Sequence, residues 1–166
     1  MQLQHNNTNF EKQQFPITVI CDGIYFQENI GSVFRLCDAF GVKDIVLSGK
    51  NLIFSERKIN KTSRSTHKTV PYTIIYDKEK LISFIKSNFE QILGIEITNN
   101  SIPLNKFEFD SSKKTALIIG SEVVGISDEL LNCCQNTIHI PMHGINSSMN
   151  VTHALSIVLY TFTQKF

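Results

Sequence analysis

The chain has 166 residues, 42% of them apolar, and a formal charge of +1 at neutral pH. That size and composition fit one globular domain whose core needs no disulfide or metal staple, and they argue against a second full domain. They also exclude a general polycation; residues 154–160, the longest apolar stretch, are too few to cross a bilayer, and residues 1–14 hold no apolar signal region, so a cytoplasmic location is expected.

Residues 1–14, rich in Asn and Gln, are expected to be a flexible or short helical arm ahead of a single domain over residues 15–166. Residues 17–21 are a β-branched run and predict a first strand. Over residues 29–40, Ile30, Val33, Phe34, Cys37 and Phe40 recur at helical spacing, and Gly41 closes that helix. Residues 44–47 predict a second strand, residues 50–68 a basic loop, and residues 72–76 a third strand. Residues 78–88 predict a helix with Leu81, Ile82 and Ile85 on one side. Strands are predicted at residues 91–97 and 115–119, then a short helix capped by Ser127 with Asp128 and Glu129 in its first turn, and a last strand at 137–140. A final helix is predicted from about Ser148, with Val151, Ala154, Leu155, Val158 and Phe162 as one apolar stripe and Ile157, Leu159 and Tyr160 beside it. Apolar residues around so much of a helix call for cover on more than one side, and a second copy of the chain is a plausible cover.

Alternation of strand and helix predicts an α/β domain with a mainly parallel sheet, which binds ligands beyond the carboxyl ends of its strands. The chemically unusual segments follow strands: residues 29–35, 120–125 and 141–150. Gly31 and Arg35 stand one turn apart, so the small residue leaves a gap that a ligand would fill, unless Arg35 is an ordinary surface residue and Gly31 a weak point costing about 1 kcal/mol against alanine. Residues 120–125 begin and end in glycine, like a phosphate loop, but Ile126 replaces the required lysine and Glu122 would repel phosphates. A GxGxxG fingerprint is absent, so the common dinucleotide-binding loop is excluded as well. Ile140-Pro141-Met142-His143-Gly144 stiffens and then loosens a strand exit, and Ser147 or Ser148 reads as an N-cap, which leaves Asn150 to be explained.

The cysteines, Cys21, Cys37, Cys133 and Cys134, have neither CxxC nor zinc-site spacing and read as buried free thiols. The five histidines show no ligand spacing and read as solvated or hydrogen-bonded side chains. Lys50, Arg57, Lys58, Lys61, Arg64 and Lys68 face the single acid Glu56 within residues 50–68, six of the chain's 16 basic residues. That segment is a candidate phosphate contact or a solvated lysine-rich loop.

Taken together, Asn29-Ile30-Gly31-Ser32-Val33-Phe34-Arg35, Gly120-Ser121-Glu122-Val123-Val124-Gly125-Ile126, and residues 140–144 with 148–154 resemble the three signature motifs of the SpoU/TrmH branch of the SPOUT RNA methyltransferases, in order and each beyond a strand. The resemblance runs from about Phe15 to the end. It implies an α/β knot, in which the C-terminal segment threads into a deep trefoil to build the pocket for S-adenosylmethionine, and a homodimer. It also implies methylation of a ribose 2′-hydroxyl in RNA without a metal.

Carried over residue by residue, the resemblance implies a catalytic set of Arg35, Asn29, Glu122, Ser148 and Asn150. It implies donor contacts at Ile119, Gly120, Gly125, Ile140, Met142, Gly144 and Met149. Ser121, Met149 and Thr152 stand where many relatives have Asn, Leu and Ser, mild departures that leave the catalytic set intact. A guanidinium with a pKa above about 12 is a poor base, so Arg35 is expected to grip phosphate and steady the forming alkoxide while the proton leaves through phosphate or water. Residues 57–64 resemble the basic loop of the tRNA-guanosine enzymes, which makes Arg57, Lys58, Lys61 and Arg64 the expected RNA contacts and tRNA the favoured substrate. Ribosomal RNA is the alternative, followed by a non-catalytic RNA-binding knot dimer. The sequence ends at Phe166, straight after the last helix, so long terminal extensions like those with which many relatives grip RNA are not expected.

Overall fold

A computed structural model describes residues 11–166; the expected N-terminal arm lies mostly outside the described residues. Strand β1 spans Phe15–Asp22, α1 Gln27–Ala39, β2 Val42–Ser48, α2 Glu56–Ser63, β3 Tyr72–Ile75 and α3 Lys78–Asn88. Then come β4 Gln91–Ile95, β5 Ile102–Pro103, β6 Thr115–Gly120, α4 Asp128–Leu131, β7 Asn136–His139 and α5 Val151–Thr163. The strands form one seven-stranded sheet in the order β3-β2-β1-β6-β4-β7-β5. Every pairing in it is parallel, as the alternation of elements predicts.

Strand residues divide by parity between two cores, because successive side chains leave opposite faces. Ile17, Val19 and Cys21 of β1 join the larger core with α1, α5 and Ile59 of α2. Ile20 faces the smaller one, with Leu81 and Ile85 of α3 and Leu130 of α4. Helices thus cover both faces, as an all-parallel sheet requires.

Four local expectations need correction. The basic segment is not a loop: it folds as α2 followed by a 3-10 turn at Thr66–Lys68. Helix α2 buries only Ile59 and Ser63, so it has no apolar stripe to reveal it, and tertiary docking makes the helix. The gap at Gly31 is filled by that helix and not by a ligand, since a Cβ there would lie 2.1 Å from Thr62 Oγ1 and 2.4 Å from the Ile59 carbonyl. Glycine at this position lets α2 seat on α1, where Thr62 Oγ1 donates to the Glu28 carbonyl at 2.9 Å.

The last helix begins at Val151, and its cap is Asn150, whose Oδ1 accepts from Thr152 N at 2.8 Å and Thr152 Oγ1 at 2.6 Å. That position, and not Ser147 or Ser148, satisfies the helix start. Ser127 does precede α4 but makes no side-chain cap bond to it; its hydroxyl turns to Asp22. The two-residue strand β5 was too short to leave a pattern.

Cover for α5 comes partly from the chain itself. Phe109 stacks on Phe162 with centroids 4.0 Å apart and planes 9° from parallel, and Phe107 lies 6.1 Å away. Leu159 is fully buried, whereas Ile157 and Tyr160 stay exposed.

Candidate active site

The exits of β1, β6, β4 and β7 meet along the carboxyl edge of the sheet. Register sets Asp22, the last residue of β1, beside Gly120, the last of β6. Beyond Gly120 the chain doubles back at once: Ser121 N donates to the Gly125 carbonyl at 3.2 Å and Gly125 N to the Ser121 carbonyl at 2.9 Å. A side chain on Gly120 would force this loop open, and one on Gly125 would be strained and would displace the Glu96 carboxylate. A Cβ on Gly120 would lie 2.1 Å from the carbonyl carbon of Gly125, and Gly125 adopts φ +70° with Glu96 Oε2 2.4 Å from its missing Cβ.

Two carboxylates anchor the end of the loop. Glu96, straight after β4, accepts from Ile126 N at 3.1 Å through Oε2 and from Ile97 N at 3.0 Å through Oε1. Asp22 is buried and accepts from Ser127 N at 2.8 Å, Ser127 Oγ at 2.6 Å and Lys78 Nζ at 2.5 Å. Removing this carboxylate strands a partly buried hydroxyl, an N–H and a partly exposed ammonium. Asp22→Ala is therefore expected to cost about 2–3 kcal/mol, read in a denaturant titration, and an unchanged midpoint would mean the triad holds nothing.

Glu122, in the exposed part of the loop, accepts a hydrogen bond from Asn29 Nδ2. This bond ties the first motif to the second across 93 residues of sequence. An open cleft lies beside it. Of the expected donor contacts, Gly120, Gly125, Ile140, Met142 and Met149 line the cleft, together with Glu122 and Ser148 of the expected catalytic set. Ile119 does not, because its side chain is buried in the larger core, and Gly144 lies in an adjoining recess with Ile145 and Asn146. Arg35 is exposed on α1, outside the lining, and Asn150 is exposed at the start of α5.

Glu96, Ile97 and His139 also line the cleft and were not foreseen. Glu96 belongs there because β4 sits between β6 and β7 in the sheet, an order that linear sequence does not display. An acid directly after a buried strand was the available signal.

Arg57, Lys58, Lys61 and Arg64 are all exposed on or at the end of α2, and none forms an ion pair among the described residues. Glu56, the one acid of the segment, faces His67 at 3.4 Å and Lys68 at 3.6 Å. His67 Nδ1 bonds Ser63 Oγ at 2.7 Å, a structural role, and His143 and His153 are exposed. His139 differs from the expected satisfied histidine, since its Nδ1 is buried without a partner among the described residues.

All four cysteines are free; Cys21 and Cys37 are buried as expected, and Cys133 and Cys134 only partly. Burial holds the thiols of Cys21 and Cys37 well above their ordinary range and pushes Cys134 up to about 12, so none of these three is a thiolate at neutral pH. Among the described residues no cluster of three or more His, Cys, Asp or Glu is placed to hold a metal.

Residues 16–160 match the SpoU rRNA methylase family. The chain belongs to that family. Its relatives include the tRNA (guanosine(18)-2′-O)-methyltransferase of Aquifex aeolicus, 32% identical over 152 residues that make up 90% of this chain and 70% of that one. A Staphylococcus aureus protein placed in the TrmH family of tRNA/rRNA methyltransferases is 30% identical, and the chain spans 61% of its length. Among solved structures, the A. aeolicus TrmH/SpoU tRNA modifying enzyme superposes with a TM-score of 0.79 at 26% identity, covering 93% of this chain and 77% of that one. The SpoU methyltransferase AviRb from Streptomyces viridochromogenes, solved with AdoMet, shares the fold at TM-score 0.79 and 22% identity, covering 98% of this chain and 61% of that one. The SpoU motifs of this chain therefore sit on a SpoU-type sheet.

Proposed function

We propose that the chain is an S-adenosylmethionine-dependent RNA methyltransferase that methylates a ribose 2′-hydroxyl, with tRNA as substrate and guanosine as the favoured nucleotide. The observation that carries this reading is the cleft itself, where residues of the second and third motifs meet and the first is bonded to them through Asn29 and Glu122. The lining also suits the donor. Its charged side chains are two carboxylates, Glu96 and Glu122, with no lysine or arginine, and a negative wall favours a cationic sulfonium. Gly120 and Gly125 let the loop fold tightly on itself and on Glu96 at the cleft wall, while Ile140, Met142 and Met149 supply apolar surface. When bound, the donor supplies a methyl group for in-line displacement by the ribose oxygen.

The chain's residues then orient that oxygen and help its proton leave. Asn29 holds Glu122, and Glu122 and Ser148 face the cleft from its rim. Asn150 fixes the start of α5 through its cap, which keeps Ser148 and Met149 in place. Arg35 acts from the ribose side, outside the donor cleft, by gripping phosphate and stabilising negative charge on oxygen.

The C-terminal segment is part of the same proposal. Helix α5 leaves β7 on one side of β4 and packs on α1 and β6 on the other, the course a threaded α/β knot takes. A homodimer fits the apolar side chains still exposed near the cleft and on α5, among them Val123, Val124, Ile157 and Tyr160. A cytoplasmic location is part of the same proposal; no helix of the described residues is long and apolar enough to cross a membrane.

Unmodified tRNA transcripts should accept label from the methyl donor, and ribosomal RNA should not; the reverse pattern would favour the ribosomal alternative. The role of α2 has its own test. Changing Lys58, Lys61 and Arg64 to Gln is expected to weaken RNA binding and to reduce the slope of log affinity against log salt by about two to three. An unchanged slope would remove α2 from the RNA contact.

A further inference from the structure

Three apolar side chains stand exposed between the cleft and the basic helix: Tyr25 at 48%, Phe26 at 59% and Ile53 at 73%. Gln27 fixes their relation. Its Nε2 donates to the Tyr25 carbonyl at 3.2 Å and the Ile53 carbonyl at 2.7 Å, and its Oε1 accepts from Ser55 N at 2.8 Å, immediately before α2. The Tyr25 ring rests on the turns that follow β1 and β2, since a Cβ on Gly23 would meet it at 3.6 Å and one on Gly49 at 3.0 Å. Backbone therefore backs the ring, which stays half exposed.

Strand order decides what lies on each side. Strands β2, β1 and β6 are neighbours, with spacings of about 4.8 Å. Their exits carry in turn the approach to α2, then Tyr25 and Phe26, then the loop with Glu122. Asn29, whose N–H donates to the Phe26 carbonyl at 3.0 Å, reaches Glu122 with its side chain. An RNA strand held by the cations of α2, with a ribose at the cleft, must cross these aromatics. Aromatic faces stack any unpaired base, and neighbouring cations take its phosphates.

We infer that Tyr25 and Phe26 form a stacking platform for an unpaired base at or beside the nucleotide that is methylated. This rests on the RNA methyltransferase reading and adds to it a requirement: the target lies in a single-stranded loop.

The test uses tRNA transcripts that carry 2-aminopurine at each unpaired position in turn. The protein has no tryptophan, which leaves the base's emission clear to follow. At saturating wild-type protein one or more positions are quenched. Phe26→Ala loses that quench and raises Kd roughly tenfold, while Phe26→Tyr restores both; donor affinity and oligomeric state do not change. A full quench with Phe26→Ala overturns the platform, as does the absence of quenching at every position. A change of oligomeric state would make the patch an interface between copies and overturn it too. A wild-type protein that binds the donor but no RNA refutes the RNA reading and the platform with it, whereas loss of the platform alone leaves methyl transfer standing.

Discussion

Replacing Arg35 with alanine is expected to lower the rate of methyl transfer by roughly 10²–10³-fold while donor affinity stays within about twofold, because a group that steadies charge on the attacking oxygen acts on the transition state. The split between the two readouts follows from position. Arg35 is exposed on α1 and does not line the cleft that Gly120, Met142 and Met149 build, so its loss leaves the donor's contacts intact. Arg35→Lys keeps the charge and loses the planar fork, and is expected to recover only a small part of the rate. Single-turnover kinetics with saturating donor and RNA checks both variants. Near-normal turnover by the lysine variant, with RNA binding unchanged, would show that the guanidinium geometry is irrelevant.

Gly120→Ala is expected to abolish measurable donor binding and to destabilise the fold by about 1–3 kcal/mol. The reason is steric and local. The new methyl would stand 2.1–2.4 Å from the backbone of Gly125 and Ile126, and neither can yield without opening the loop between Ser121 and Gly125. Glu96 and Asp22 hold the far end of that loop, so the displacement is pushed toward the cleft. Calorimetric titration with S-adenosylmethionine, alongside a thermal melt, measures both effects. Wild-type affinity in this variant would mean that the loop does not bound the donor site.

Much of the architecture was readable because burial imposes period. The helix at 78–88 matches α3 from end to end, since Leu81 and Ile85 mark its buried side. Buried β-branched runs marked β1, β2 and β6, and the parallel sheet followed from their alternation with helices. The three motif segments were placed at one edge because each follows a strand.

Other features depend on contacts that linear order hides. Helix α2 exists because Gly31, in another element, leaves room for Ile59 and Thr62. Glu96 enters the site because β4, fourth in sequence, lies between the sixth and seventh strands in space. Asn150 and Ser127 show the limit of cap rules. Each position has several polar residues nearby, and only the geometry chooses which one serves the helix and which one serves a distant carboxylate.

Delivery of a methyl group from this cleft to a ribose oxygen can be read directly from the product. The most direct measurement is to incubate the protein with labelled S-adenosylmethionine and unmodified tRNA, digest the RNA to nucleosides, and identify the labelled one. Label is expected in a 2′-O-methylated nucleoside, with guanosine favoured. Label on a base, or no label in any RNA from a protein that binds the donor, would contradict it.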